Sequence, residues 1–340
     1  MSERIRIDGN RVYYAIWYNV PSYILYSEQD LVSFVEQDLQ SANIDSHKID
    51  NYIWIFDLHP EGISSQDLLL IKKFFNNRGV PDKNFRVAFS CIEDVEKLSY
   101  PAICLPDRLI YIGNWFMHME HYHINWVSVP MTHKLVCLMR RPSISRGNLA
   151  QRLLKKISKD DIIMTFGTNG SDTDQSIKAL IWPHTYPIIV DRPMADKVFQ
   201  HRIDHDFFYR APVNLVVESS SQIDPNTWRS CFITEKTFKA LAWHQFPVWY
   251  AVPGLVEQVR QLGFDVFDDI FDNHNYDLIQ DPWERMTKVV LLTRQICNLD
   301  LVALREKHWQ RLEKNAQQIK EIHTTAIGRH TQKLNELINL

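Results

Sequence analysis

The sequence predicts an α/β protein of two domains, each a parallel sheet covered by helices, with further helices at the carboxyl end. Three observations predict it. Strand-like apolar runs alternate with capped helical runs, the pattern of a parallel sheet with crossover helices. The rhythm restarts at residue 134 after an intervening stretch. The chain has 340 residues, more than one ordinary core fills.

In the first half, "RVYYAIWYNV" (11–20) reads as a strand. "SEQDLVSFVEQDLQSA" (27–42) reads as a helix, with Ser27 as N-cap and acids in the first turn. "YIWIFDLHP" (52–60) is a buried strand ending in polar residues, and "SSQDLLLIKKFFNNRG" (64–79) a capped helix stopped by Gly79. "FRVAFSC" (85–91) is the next strand. In the second half, "KLVCLMRR" (134–141) is a strand and "SRGNLAQRLLKKI" (145–157) a helix. "DIIMTFG" (161–167) and "APVNLVVES" (211–219) are strands. "CFITEKTFKALAWHQFPVWYAVPG" (231–254) adds a strand, a helix and a strand. After Pro282 apolar residues recur at helical spacing to the end. The predicted organisation is a first domain over 1–130, a second over 131–290 and C-terminal helices over 291–340 that pack back on the domains, with the join near 125–133.

Composition narrows the classes. Apolar residues make up 45% and charged residues 23%, as in soluble globular proteins. Ten glycines leave little material for Gly-rich phosphate loops. A net charge of −3 means that a nucleic-acid partner needs a local basic face. The five cysteines (91, 104, 137, 231, 297) lack CxxC spacing and read as buried thiols of a reducing compartment. The opening "MSERIRIDGNRVYY" is polar, predicting no signal peptide, and no apolar run approaches the ~20 residues of a membrane span. The expectation is a cytoplasmic protein.

Ligands of parallel sheets bind at the carboxyl ends of strands, so strand-end residues carry the chemistry. Lys134 to Lys159 holds eight cations and no acid. Arg140 and Arg141 end a strand, and Arg146 opens the next helix, where an arginine fork and the helix amino end together suit a diphosphate. Arg152, Lys155 and Lys156 read as a solvated helix face. Glu218 ends an apolar strand and can accept two hydroxyls, as a ribose offers, or can cap a turn. Thr234 caps a helix whose first turn holds Glu235 and Lys236. The helix dipole favours Glu235 there and disfavours Lys236 unless an anion lies beside it, which points to a bound phosphate.

Residues 213–254 resemble the donor-binding segment of the α-1,3-fucosyltransferases. That family has an apolar strand ending in Glu-Asn-Ser, a Tyr-x-Thr-Glu-Lys run, Asn-Ala-Leu in a helix, and Pro-Val before a Gly. This chain has Glu218-Ser219-Ser220, Phe232-Ile233-Thr234-Glu235-Lys236, Lys239-Ala240-Leu241, Pro247-Val248 and Gly254. Ser145-Arg146 is similar to the family's Ser-Arg at a helix start, and "LVEQVRQLGFDVFDDIFDNHNYD" looks like a group of often phage-encoded glycosyltransferase-like proteins. The likeness covers about residues 134–280. It implies a GT-B architecture, two Rossmann-like domains with a cleft between them and the nucleotide sugar in the second. It also implies Arg146 and Lys236 on the diphosphate, Glu235 on the ribose, Glu218 in the sugar or ribose region, and Phe232 in place of a base-stacking Tyr. Ser219 departs from the family's Asn, the loop from Glu218 to Thr234 is longer, and Phe232 drops a hydroxyl.

The expected activity is metal-independent hexosyl or pentosyl transfer, with the nucleotide sugar as substrate and no cofactor. The acceptor hydroxyl belongs to a hydroxymethylated base in viral DNA or to a glycan; a non-catalytic nucleotide-binding scaffold of GT-B shape is the alternative. The general base is sought in "FDLHPEG", where Asp57, His59 and Glu61 follow a buried strand. Trp115, His118 and Tyr122 are candidates for the acceptor side. "HMEHYH" (118–123) lacks zinc spacing, and Asp172-x-Asp174 is set off from its strand by "GTNGS", so neither is read as a metal site. Asp268, Asp269, Asp272 and Asp277 read as turn and cap residues, lacking the Gly and terminal Glu of a calcium loop.

Overall fold

The computed structural model describes residues 5–16, 28–45, 48–58, 65–89, 98–105, 130–139, 143–167, 188–190, 208, 210–218, 231 and 233–339. The chain divides into two compact units, one of residues 1–109, 224–232 and 325–340, the other of residues 110–223 and 233–324. Both are α/β.

In the first unit the described elements are β1 (Ile5–Asp8), β2 (Arg11–Ile16), α1 (Glu28–Ser41), β3 (Ile53–Leu58), α2 (Ser65–Asn76), β4 (Phe85–Phe89) and β5 (Ala102–Cys104). The strands lie in sequence order; β1 runs antiparallel to β2 and the rest are parallel. Alternation along β4 sorts its two faces. Phe85, Val87 and Phe89 join Trp54 and Phe56 of β3 and Leu68, Ile71 and Phe75 of α2 in one buried cluster. Its rings meet closely, Phe56 and Phe85 at 4.4 Å and Trp54 and Phe75 at 4.6 Å between centroids. Each such side chain contributes about 1.5–3 kcal/mol by burial. That outweighs an exposed pair such as Lys48–Asp45 at 3.7 Å, whose kind is worth at most ~1 kcal/mol. Gly79 sits at φ +87, a left-handed turn that stops α2 three residues after its last helical residue.

The opposite face of β4 has a different cover. Ala88 packs with Ile103, Leu105, Leu334 and Leu337. Leu334 and Leu337 come from the last helix of the chain (Trp309–Asn339), whose residues up to 324 belong to the second unit. Arg86, nearly buried, donates through Nη1 to the Leu337 carbonyl at 3.0 Å and also to the Ile338 carbonyl. A cation thus meets the carbonyls at that helix's carboxyl end, where the dipole favours it.

The second unit has β6 (Leu135–Met139), α3 (Ile144–Leu154), β7 (Ile162–Phe166), β8 (Ile188–Val190), β9 (Val213–Val217), α4 (Glu235–Ala242), β10 (Phe246–Tyr250), α5 (Leu255–Gln261), α6 (His274–Asp277), α7 (Pro282–Cys297), α8 (Leu301–Lys307) and the start of α9 (Trp309–Asn339). Its sheet runs β10-β9-β6-β7-β8, parallel except that β8 is antiparallel to β7. Every residue of β7, β9 and β10 is buried, which explains their continuous apolar runs. Pro247 is tolerated because β10 is an edge strand among the described residues, where its missing donor costs the sheet no second ladder. Of the strand expected at 231–233, Cys231 forms an isolated bridge and Ile233 lies in no strand; Phe232 is outside the described residues.

The aspartates of "FDVFDDIFDNHNYD" are spent on the fold. Asp265 and Asp269 hold the Arg311 guanidinium, at 2.6–2.9 Å, and Asp268 holds Arg260. Asp277 accepts from Val256 N at 3.0 Å and Glu257 N at 3.1 Å, capping α5 behind Gly254 at φ +81. Cys137 and Cys297 are buried thiols whose pKa burial pushes up to about 12, so they are inert. Among the described residues no helix is long and apolar enough to cross a membrane.

Candidate functional site

The sheet of the second unit reverses its direction of growth between β6 and β9. From β6 the chain crosses over α3 to β7 on one side; from β9 it crosses over α4 to β10 on the other. β6 and β7 pair over five residues, and so do β9 and β10. β6 and β9 pair only at Leu135–Val213 and Val136–Asn214, and the ladder stops before their carboxyl ends. Doubly wound sheets take ligands at such a switch point, beyond the carboxyl ends of the strands.

Two helices begin at those strand ends. Ser143 caps α3, its Oγ accepting from Arg146 N at 3.3 Å. Thr234 caps α4, its Oγ accepting from Lys236 N at 3.2 Å. Both amino ends carry partial positive charge. Glu218, one residue past β9, joins the two. Arg146 Nη2 donates to the Glu218 carbonyl at 3.3 Å. The Glu218 carboxylate takes Thr234 N at 3.1 Å and Thr237 Oγ at 2.6 Å on Oε1, and Thr234 Oγ at 2.5 Å on Oε2. Trp249 of β10 donates its indole N–H to Thr237 Oγ at 3.2 Å, extending the buried chain of hydrogen bonds across α4. The Glu218 side chain is 0% exposed, so its charge is met by protein groups alone.

Lys236 is the cation that the dipole alone would reject. Its Nζ lies 3.6 Å from Glu218 Oε2 and donates to Thr234 Oγ at 3.0 Å. The anion that a first-turn lysine requires is therefore supplied by the chain itself, and a phosphate is not needed to account for the residue's place. Glu235, beside it, is half-buried, with Oε1 4.0 Å from Lys236 Nζ. Burial works to raise its pKa, but Lys236, Lys239 and hydrogen bonds at the helix start outweigh that and hold it below the ordinary carboxylate value. It is ionised at neutral pH and able to accept hydroxyls.

The structure thus brings together Arg146, Glu218, Thr234, Glu235 and Lys236, which the sequence singled out from three separate segments. Arg140 and Phe232 lie outside the described residues, as do His59, Glu61, Trp115, His118 and Tyr122. Asp57 lies in β3, opposite Ala15 and Ala88, and its side chain is outside the described set. Thr237 and Trp249 were missed by sequence reasoning. The Thr234-x-x-Thr237 spacing was the available signal, since residues three apart share a helix face. Among the described residues no group of three or more His, Cys, Asp or Glu side chains could hold a metal ion.

No protein-family model and no curated protein matches the chain. Among solved structures, it is similar to an α,α-trehalose-phosphate synthase (UDP-forming) from Burkholderia vietnamiensis. The identity is 12%, over 92% of this chain and 77% of that one, with a TM-score of 0.43, a likeness too loose to fix fold or activity.

Proposed function

We propose that this chain is a glycosyltransferase of the GT-B kind, taking a nucleoside-diphosphate sugar into the crevice of its second unit and passing the sugar to an acceptor hydroxyl. One observation carries the reading: at the switch point of the sheet, beyond the carboxyl ends of β6 and β9, Arg146 and Lys236 reach the same residue, Glu218, from the amino ends of two helices. Two cations and two helix dipoles at a switch point suit a diphosphate. The resemblance of residues 213–254 to fucosyltransferase donor segments supports the same ligand class.

In this reading the acceptor oxygen bonds to the anomeric carbon and gives up its proton to a general base, while the bond from that carbon to the terminal phosphate oxygen breaks and charge develops on the phosphate oxygen. Arg146 and Lys236 stabilise it, as fixed cations do for a leaving diphosphate without a metal. Glu235, ionised and half-buried, accepts ribose hydroxyls. Thr234 holds the start of α4 in place for both.

The test is direct. Thermal-shift measurements with UDP, GDP, CDP and ADP identify the donor base by the largest rise in Tm. Matching nucleotide sugars are then incubated with hydroxymethylated DNA and, separately, with glycan acceptors, and nucleoside diphosphate release is measured. Release that depends on one acceptor is expected. Binding without release from any donor assigns the chain to the non-catalytic scaffold class, and no binding removes the reading altogether.

A further inference from the structure

Resting on that reading, we propose that Glu218 is an internal counter-ion for Lys236 and not a ligand contact: it holds the ammonium in the ligand-free protein and yields it to the diphosphate. Three observations carry this. The carboxylate is fully covered, so a ribose hydroxyl reaches it only by displacing the chain's own groups. Its oxygens already accept three donors, from Thr234 N, Thr234 Oγ and Thr237 Oγ. Lys236 Nζ stands 3.6 Å from Oε2, beyond a good direct hydrogen bond, while its side chain remains 29% exposed toward solvent.

The asymmetry gives each partner a role. Glu218 is pinned by α4 and cannot follow a ligand. Lys236 has a flexible stem and rotatable donors and can turn toward one. An incoming anion competes with Glu218 for the ammonium, so Glu218 sets how much diphosphate affinity Lys236 delivers. Glu218 acts through Lys236 and is a positioning residue.

The experiment uses calorimetry on the full chain. The ligands are inorganic diphosphate and whichever of UDP, GDP, CDP and ADP raises the Tm most. The proteins are wild type, Glu218→Gln, Lys236→Met and the double variant. The Gln amide oxygen can still accept from Thr234 N and Thr237 Oγ, so two of the three anchoring hydrogen bonds are kept while the charge is removed. Glu218→Gln is expected to tighten both ligands about three- to tenfold, the size of one partly screened charge pair. In the Lys236→Met background that gain disappears, since the coupling runs through the lysine. Loss of the nucleoside diphosphate alone makes Glu218 a ribose contact and overturns the proposal. So does an unchanged affinity for both ligands, or a gain that survives without Lys236. Should Glu218→Gln fail to fold, wild type alone decides: amine-reactive labelling of Lys236, followed by peptide mass spectrometry, falls on adding inorganic diphosphate. Labelling that stays constant while diphosphate is bound overturns the counter-ion role. Absence of diphosphate binding to wild type and variants alike removes the proposed function with it, whereas binding combined with any contrary result removes only the role of Glu218.

Discussion

Among the described residues, each unit has a sheet of five strands, four parallel and one antiparallel at an edge, yet the two sheets are wound differently. The first keeps its strands in sequence order, so every crossover advances the same way. The second reverses between β6 and β9. A sheet that never reverses has no switch point and so no crevice of that origin. The first unit ends β3 and β4 in paired backbone, Asp57 opposite Ala88. The second has the start of a helix beyond each of β6 and β9, with a charged residue from each helix on Glu218. Winding order, more than composition, separates the two sheets.

The largest test of that contrast is Phe56→Ala. Phe56 packs on Phe75 and Phe85 in the first unit and should cost about 3–5 kcal/mol of that unit's stability in denaturant unfolding. Diphosphate affinity under native conditions should not change; an equal loss there breaks the division of labour between the sheets. Next, Arg146→Ala and Lys236→Ala should each weaken inorganic diphosphate by about 1.5–3 kcal/mol in calorimetry, the range of a charge-assisted hydrogen bond. Unchanged binding takes that residue out of the site. Ser143→Ala removes the α3 cap and should cost ~1 kcal/mol of stability in the second unit, with a smaller loss of diphosphate affinity than Arg146→Ala.

The smallest effect is a pH dependence confined to the second unit. His244, just after α4, has φ +54, stacks on Trp309 at 4.8 Å and meets Glu313 at 2.7 Å through Nε2. Burial pulls its pKa below 6.5; Glu313 pulls the other way, and Arg305 and Lys320 add to the lowering. On acidification through 6.5 the unfolded chain takes up a proton that the folded chain resists, so stability is full above that value and falls as the pH drops further. Thermal unfolding at about pH 7.5 and 5.5 should show a steeper decline for wild type than for His244→Asn, a residue that also tolerates left-handed backbone. Equal slopes remove His244 as the source.

Long apolar runs were legible because burial on both faces writes itself into the sequence. β6, β7 and β9 fall within the stretches read as strands, as do β3 and β4. β5 and β8 were not found; three residues carry no readable period. β1 escaped because "IRID" alternates charge with apolar residues within an opening read only as polar. Strand order was out of reach: nothing in "KLVCLMRR" or "VNLVVESSS" says that β6 and β9 are neighbours, 70-odd residues apart. A shorter separation hid the meaning of Glu218. Its type and strand-end position drew attention, but its partners Thr234 and Thr237 lie 16 and 19 residues on, and only the folded sheet sets them against it.

The bond from Arg86 to the Leu337 carbonyl spans 251 positions of the chain. Its consequence is one of timing during synthesis. A ribosome that has made β1 to β5 has not yet made Leu334 and Leu337, which cover Ala88, Ile103 and Leu105. That apolar patch and the Arg86 guanidinium wait, wet, until the final turns of α9 emerge. The described secondary structure of the second unit, from Leu135 onward, is complete on the emerging chain before that moment. The amino-terminal sheet is therefore begun first and finished last, against the usual order in which domains close as they are made.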